Sequence, residues 1–142
     1  MRSLIQEFTI RGTSMEIPMD QFLFWLYLIN AVFLINHEID SAYWREWELF
    51  RLPGGISGFL IIHFPMLFLV LYGLVLVYQG TFAGWIFSLV MGGAGIFAFC
   101  IHLFFIKKGR SEFKTPVSLF ILAGTFVVSL VQVGVSIYLI TG

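Results

Sequence analysis

The sequence predicts an all-α fold: four transmembrane helices in an antiparallel, up-down bundle, with an acidic and aromatic extension at the membrane interface after the first span. Three observations carry this expectation. Of 142 residues, 59% are hydrophobic and 11% charged, whereas soluble domains carry about 25% charged residues. Mean hydropathy is +0.95. Four apolar runs, over about 18–40, 56–78, 81–106 and 116–140, each reach the ~20 residues that a helix needs to cross a bilayer.

Charge and cysteine usage exclude several classes. Formal net charge is zero, so no basic face invites nucleic acid. Cys100 is the only cysteine, which rules out an internal disulfide, a CxxC redox pair and a cysteine-cluster zinc site. The partner implied by composition is the lipid bilayer. A second copy of the chain, or a partner membrane protein, stays open.

Residues 1–17 (MRSLIQEFTIRGTSMEI) are mixed in character and lack the ordered regions of a signal peptide. They read as a peripheral tail ahead of a single domain over 18–142, with Met15 an alternative start. The first span opens near Pro18, where a missing N–H costs nothing. No breaker follows before Pro53-Gly54-Gly55, so this helix is expected to continue through HEIDSAYWREWELFR (His37–Arg51). Glu38, Asp40, Glu46 and Glu48 collect there, and Trp44 and Trp47 suit an aromatic belt at the membrane surface. Glu46 and Arg45 read as solvated interface charges.

Gln79-Gly80 joins the second and third spans so tightly that the two helices must be neighbours. Pro65 is expected to kink the second, a defect tolerated inside a bundle. Gly84, Ser88 and Gly92 recur every four residues in the third, the spacing that lets helix backbones approach closely in lipid. A polar loop, KKGRSEFK (Lys107–Lys114), precedes Pro116 at the start of the fourth span.

The bases set the orientation. Arg45, Arg51, Lys107, Lys108, Arg110 and Lys114 fall in the two loops of one side, against Arg2 and Arg11 on the other. The positive-inside rule then makes the first side cytoplasmic and leaves both termini outside.

Each histidine belongs to a different span: His37 ends the first, His63 lies about two turns into the second, and His102 lies about one turn before the third ends. In an up-down bundle all three reach similar depth in the cytoplasmic leaflet, with His63 on the order of 10 Å below the start of its helix. Phase supports convergence. Tyr27, Asn30, Leu34, His37, Ser41, Trp44 and Glu48 recur at steps of three and four, on one helix face. Ser118, Thr125, Ser129, Gln132 and Ser136 form a second polar stripe, and His102 extends the small-residue face of Ser88, Met91, Gly95 and Ala98. In lipid such stripes turn inward.

Three readings fit these residues. The polar stripes can be interhelical glue with hydrogen-bonded histidines. Imidazoles from three helices, joined by Glu38 or another carboxylate, can hold zinc or non-haem iron, as in metal sites built from facing helices of a bundle. Histidine and glutamate in an apolar pocket can also exchange protons without a metal. Spacing decides little, since HEID is not HExxH and the residue three after Glu38 is Ser41. A haem between His63 and His102 has no other support in the chain. Asp40 lies about 60° in phase from His37, on the flank opposite Glu38, so only one of the two acids joins the same site easily.

Asn36–His63 resembles the signature of small bacterial four-helix membrane proteins grouped as a domain of unknown function. That signature reads H-x-x-D-A-x-x-x-x-E-W-x-L-F followed by Pro-Gly-Gly. It falls here on His37, Asp40, Ala42, Glu46-Trp47, Leu49, Phe50 and Pro53-Gly54-Gly55, with Ser41 interposed before Ala42. Glu112-Phe113, Ser129 and Gln132 are similar too, so the resemblance runs from about residue 20 to the end. It implies a four-helix protein of the bacterial inner membrane and names no reaction.

The expectation is therefore a small integral membrane protein with a polar pocket near the cytoplasmic leaflet. His37, Glu38, His63 and His102 form it, with Asn30, Asp40, Ser41 and Ser118 in support. The pocket would bind a divalent metal, zinc or iron, or a lipid-like ligand. The alternative is a non-catalytic accessory subunit whose polar stripes pack against a partner.

Overall fold

The computed structural model describes residues 17–109 and 114–142. The expectations for the N-terminal tail up to residue 16, for Arg110 and for Glu112-Phe113 lie outside the described residues. Among the described residues five helices follow one another: α1 (Met19–Tyr43), α2 (Glu46–Leu49), α3 (Gly55–Tyr78), α4 (Phe82–Lys107) and α5 (Pro116–Thr141). All but α2 are long and apolar enough to cross a membrane.

Local chemistry explains the helix ends. Thr81 caps α4 by accepting from the Gly84 N–H at 3.0 Å, and Thr115 caps α5 by accepting from the Ser118 N–H at 3.1 Å. Pro116 sits in the first turn of α5, where its lost donor has no helical partner anyway. Between α3 and α4 the Thr81 N–H reaches the Leu76 carbonyl at 3.3 Å, and that of Gly80 reaches Val77 at 3.0 Å. This reversal needs a left-handed residue, supplied by Gly80 at φ 61°. Pro65 lies inside α3, which runs unbroken through it.

The helices pack as a ring in which α1 adjoins α3 and α5, and α4 adjoins the same two. Consecutive long helices are antiparallel neighbours, while α1 and α4 face each other across the diagonal. The bundle is polar inside and apolar outside: among the described residues, ten buried polar side chains accompany eight buried apolar ones. Large apolar groups such as Phe64 (79% exposed) and Ile61 (72%) cover the outer surface. In water such a surface would be an extended interaction patch; in lipid it is the expected one, and the protein is an integral membrane protein.

Close packing rests on the small residues. A Cβ on Gly84 would lie 2.4 Å from the Leu76 carbonyl oxygen, and one on Gly95 would lie 2.2 Å from Ser129 Oγ. Both polar stripes point inward. Asn30 Nδ2 donates to Gln132 Oε1 at 2.8 Å and to Ser129 Oγ at 3.0 Å. Gln132 Nε2 in turn donates to the backbone oxygen and Oγ of Ser88, at 2.9 and 3.0 Å. Three helices are thereby tied through one amide.

The first helix does not continue to Pro53 as its sequence suggests. It ends at Tyr43, and Arg45 takes the left-handed conformation at φ 56° and ψ 46°. The chain folds back, and α2 forms as a separate turn. The physical reason is burial: Trp47 reaches the bundle end and packs on Phe59, ring centroids 5.6 Å apart. A straight helix would have carried that indole away from the core. Trp47 is thereby buried against the bundle end, while Trp44 donates its indole N–H to Asp40 Oδ1 at 3.1 Å.

Candidate functional site

Three elements deliver the histidines and acids to one end of the bundle. Helical phase carries His37 from the buried face of α1, through Tyr27 and Asn30, toward the bundle axis. His102 arrives from the small-residue face of α4, beyond Ser88 and Gly95. The two rings meet edge to face, centroids 4.6 Å apart, with His37 3% and His102 1% exposed.

Glu46 completes the cluster. The left-handed turn at Arg45 and the seat of Trp47 on Phe59 bring α2 back over the bundle end. Glu46 is then only 11% exposed, with Oε1 3.4 Å from His102 Nε2. One ligand atom from each of His37, Glu46 and His102 lies within 4.8 Å of the others. Ligands around one ion at ~2 Å stand roughly 3–4 Å apart, so small side-chain adjustments close the difference. The cluster is a buried polar pocket compatible with metal or ligand binding, and its donor set can coordinate a divalent metal.

The hydrogen bond on the other side of the His102 ring strengthens that assignment. Nδ1 lies 2.7 Å from the Ala98 carbonyl oxygen, which can only accept, so Nδ1 carries the proton. In the neutral ring the Nε2 edge directed at Glu46 is then the lone-pair edge. Metal-ligating histidines are commonly oriented by such a donation to a backbone carbonyl.

His63 and Glu38 form a second pair beside the first. Glu38 Oε2 and His63 Nε2 are 2.6 Å apart. His63 Nδ1 is held by the Phe59 carbonyl at 2.7 Å, and its ring stacks on Phe59 with centroids 3.6 Å apart. With Nδ1–H fixed, any proton between the pair resides on the Glu38 carboxyl or on Nε2. His37, Glu38, Glu46, His63 and His102 all line one cavity of about 220 Å³.

The remaining expected residues have other partners. Asn30 is engaged by Ser129 and Gln132. Asp40 turns to Trp44, leaving Glu38 as the acid on the cavity side. Ser118 Oγ pairs with Thr115 Oγ1 at 2.6 Å in the cap of α5. Ser41 is fully buried one turn after His37. None of these four lines the cavity of the histidines. Cys100 is exposed, away from the cluster.

Glu46 is the residue that sequence reasoning missed, having taken it for a solvated charge. Counting phase along an unbroken helix pointed to Trp44 and Glu48 instead, and Glu48 is exposed in an ion pair with Arg45. The one sequence signal for Glu46 is its place, with Trp47, in the family-like pattern.

No curated protein and no solved structure matches the chain. A family pattern matches residues 23–139, from the buried Leu23 through all four long helices, and by that match the chain belongs to a family of unknown function, DUF6713.

Proposed function

We propose that this protein is a divalent-metal protein of the membrane, with His37, Glu46 and His102 as the protein ligands. The convergence of two imidazoles and one carboxylate within 4.8 Å, all from buried positions, is the observation that carries it. Two histidines and one carboxylate leave positions open for water or substrate, the donor set of catalytic zinc sites and of non-haem iron. Bound there, the ion would supply Lewis acidity, beside a Glu38–His63 pair able to take or give a proton. The pair belongs to the same pocket, and His37, Glu38, His63 and His102 together are its working residues.

The bases support a location of this pocket at the cytoplasmic leaflet with both termini outside, and the resemblance supports a bacterial inner membrane. An accessory subunit is the second reading. It is disfavoured by the burial of Ser118, Thr125, Ser129, Gln132 and Ser136, since a partner would meet only apolar helix faces. Nothing in the pocket calls for nucleic acid.

Elemental mass spectrometry of the detergent-purified protein tests the reading. Wild type should carry zinc or iron at about one ion per chain, and the His37→Ala/His102→Ala variant, folded by circular dichroism, should carry none. A well-folded wild type that takes up no metal on reconstitution would sink it.

A further inference from the structure

A second cavity adjoins the histidine pocket. It has a volume of about 340 Å³ between α1, α3 and α4, and its walls are almost wholly apolar, with Met66, Val70 and Met91 among them. Glu38 and Ala98 line both cavities, so the two meet at Glu38, whose partner His63 lies on the histidine side. Among the described residues of this wall Glu38 is the only carboxylate, and Tyr27, the other ionisable group there, is tied to the Val70 carbonyl at 2.9 Å. At the rim Leu69 is 51% and Val90 65% exposed, so the cleft opens sideways between α3 and α4, toward lipid.

An alkyl chain can pass from the bilayer into this cleft without leaving a hydrocarbon environment. For the same reason the apolar wall gives little selectivity, because lipid tails are as apolar as the wall itself. Selection falls to the polar end. Among the described residues lining the histidine cavity there is no lysine or arginine, and two carboxylates are present. Among these described residues a phosphate head would find none of the cationic side chains that usually bind it, so they suit a phospholipid poorly. A hydroxyl suits it well: it can donate to the second carboxyl oxygen of Glu38, beside the one that His63 Nε2 engages at 2.6 Å.

We infer that the cleft and the histidine cavity form one binding site for a single-chain lipid alcohol, its chain between α3 and α4 and its hydroxyl at the Glu38–His63 pair. This rests on reading the histidine cavity as a ligand pocket, and it adds the class of ligand.

The test uses the full chain in lipid nanodiscs with dodecanol carrying a diazirine near the chain end, irradiation, and peptide mass spectrometry. Metal content is measured on the same samples. Labelling should be saturable, concentrated on α3 and α4 peptides around Met66, Val70 and Met91, and suppressed by excess dodecanol but not by a lysophospholipid of equal chain length. Val90→Trp, at the lipid-facing rim and away from the histidines, should remove the saturable labelling with metal content unchanged. Glu38→Gln should weaken it by about tenfold, the effect of losing a charge-assisted hydrogen bond. Labelling spread evenly over lipid-facing surfaces and unaltered by Val90→Trp overturns the inference, and equal competition by the lysophospholipid overturns its head group. Bound metal without saturable labelling defeats this inference alone. Saturable labelling without metal defeats the metal reading alone.

Discussion

His37 and His102 stand on the two helices that face each other across the bundle diagonal, yet their rings touch edge to face with centroids 4.6 Å apart. The pair therefore closes one end of the bundle axis, in a cavity lined by α1, α2, α3 and α4. Glu46 supplies the negative charge that would favour a divalent cation bound beside these buried imidazoles.

Glu46 and Glu48 stand two residues apart and should behave oppositely. Glu46→Gln removes the only carboxylate of the ligand cluster and should weaken metal binding at least about tenfold, as ligand-shell changes of this kind commonly do. Glu48→Gln removes a charge that is 56% exposed and paired with Arg45, and should leave affinity unchanged. Competition with a chelator of known affinity measures both. Equal effects would mean that neither acid is a ligand.

Arg45 sets the direction of Glu46 through its backbone. A left-handed conformation costs a non-glycine residue about 1–2 kcal/mol, and a β-branched residue fits it worst. Arg45→Gly should keep metal binding at the wild-type level, whereas Arg45→Val should weaken it at least about tenfold by turning Glu46 away. The lost Arg45–Glu48 pair is common to both variants and, being exposed, is worth about 1 kcal/mol or less. Loss of metal in Arg45→Gly would show that the side chain, not the turn, matters.

The inward stripes were legible because lipid offers polar side chains no other favourable direction. Asn30, His37, Ser129 and Gln132 could be placed from periodicity alone. So could the convergence of three histidines, which needs only span count and order. The pairing within that cluster was not legible: it depends on which helices meet on the diagonal, and a tight turn such as Gln79-Gly80 fixes only adjacent pairs. Glu46 was hidden for a different reason. A single backbone angle at Arg45, a residue with no strong turn preference, decides whether Glu46 or Glu48 faces inward, and the drive for it comes from Trp47 meeting Phe59, far along the chain.

Two glycines of α4 should separate packing from propensity. At Gly84 an added Cβ meets backbone, 2.4 Å from the Leu76 carbonyl oxygen and 2.7 Å from the Val77 nitrogen, so α3 and α4 must move apart. Overpacking of this kind costs about 1–3 kcal/mol. At Gly93 nothing lies within 4 Å, and Gly93→Ala should change stability by no more than ~0.5 kcal/mol. Unfolding by steric trapping in bicelles reads both variants. A harmless Gly84→Ala would show that the two helices are not held as close as the geometry requires.

Asn30 and Gln132 give the last prediction. Their amides bond at 2.8 Å in a site from which water is excluded, and Gln132 also holds Ser88 of α4. Interhelical hydrogen bonds in membranes are worth less than burial suggests, about 0.6 kcal/mol on average and at most ~1.7, because the unfolded chain in lipid finds other partners. This pair lies at the upper end, since Gln132 links three helices and removing it leaves donors and acceptors on two of them unpaired. The double-mutant cycle of Asn30→Ala and Gln132→Ala should give a coupling of about 1–1.7 kcal/mol, with a Gln132→Ala single effect larger than that of Asn30→Ala. Asn30 lies seven residues before His37, on the order of 10 Å along the helix, so all three variants should retain their metal. Zero coupling would assign the stripe to local helix chemistry, and loss of metal would mean that the network holds the histidines in place as well as the helices.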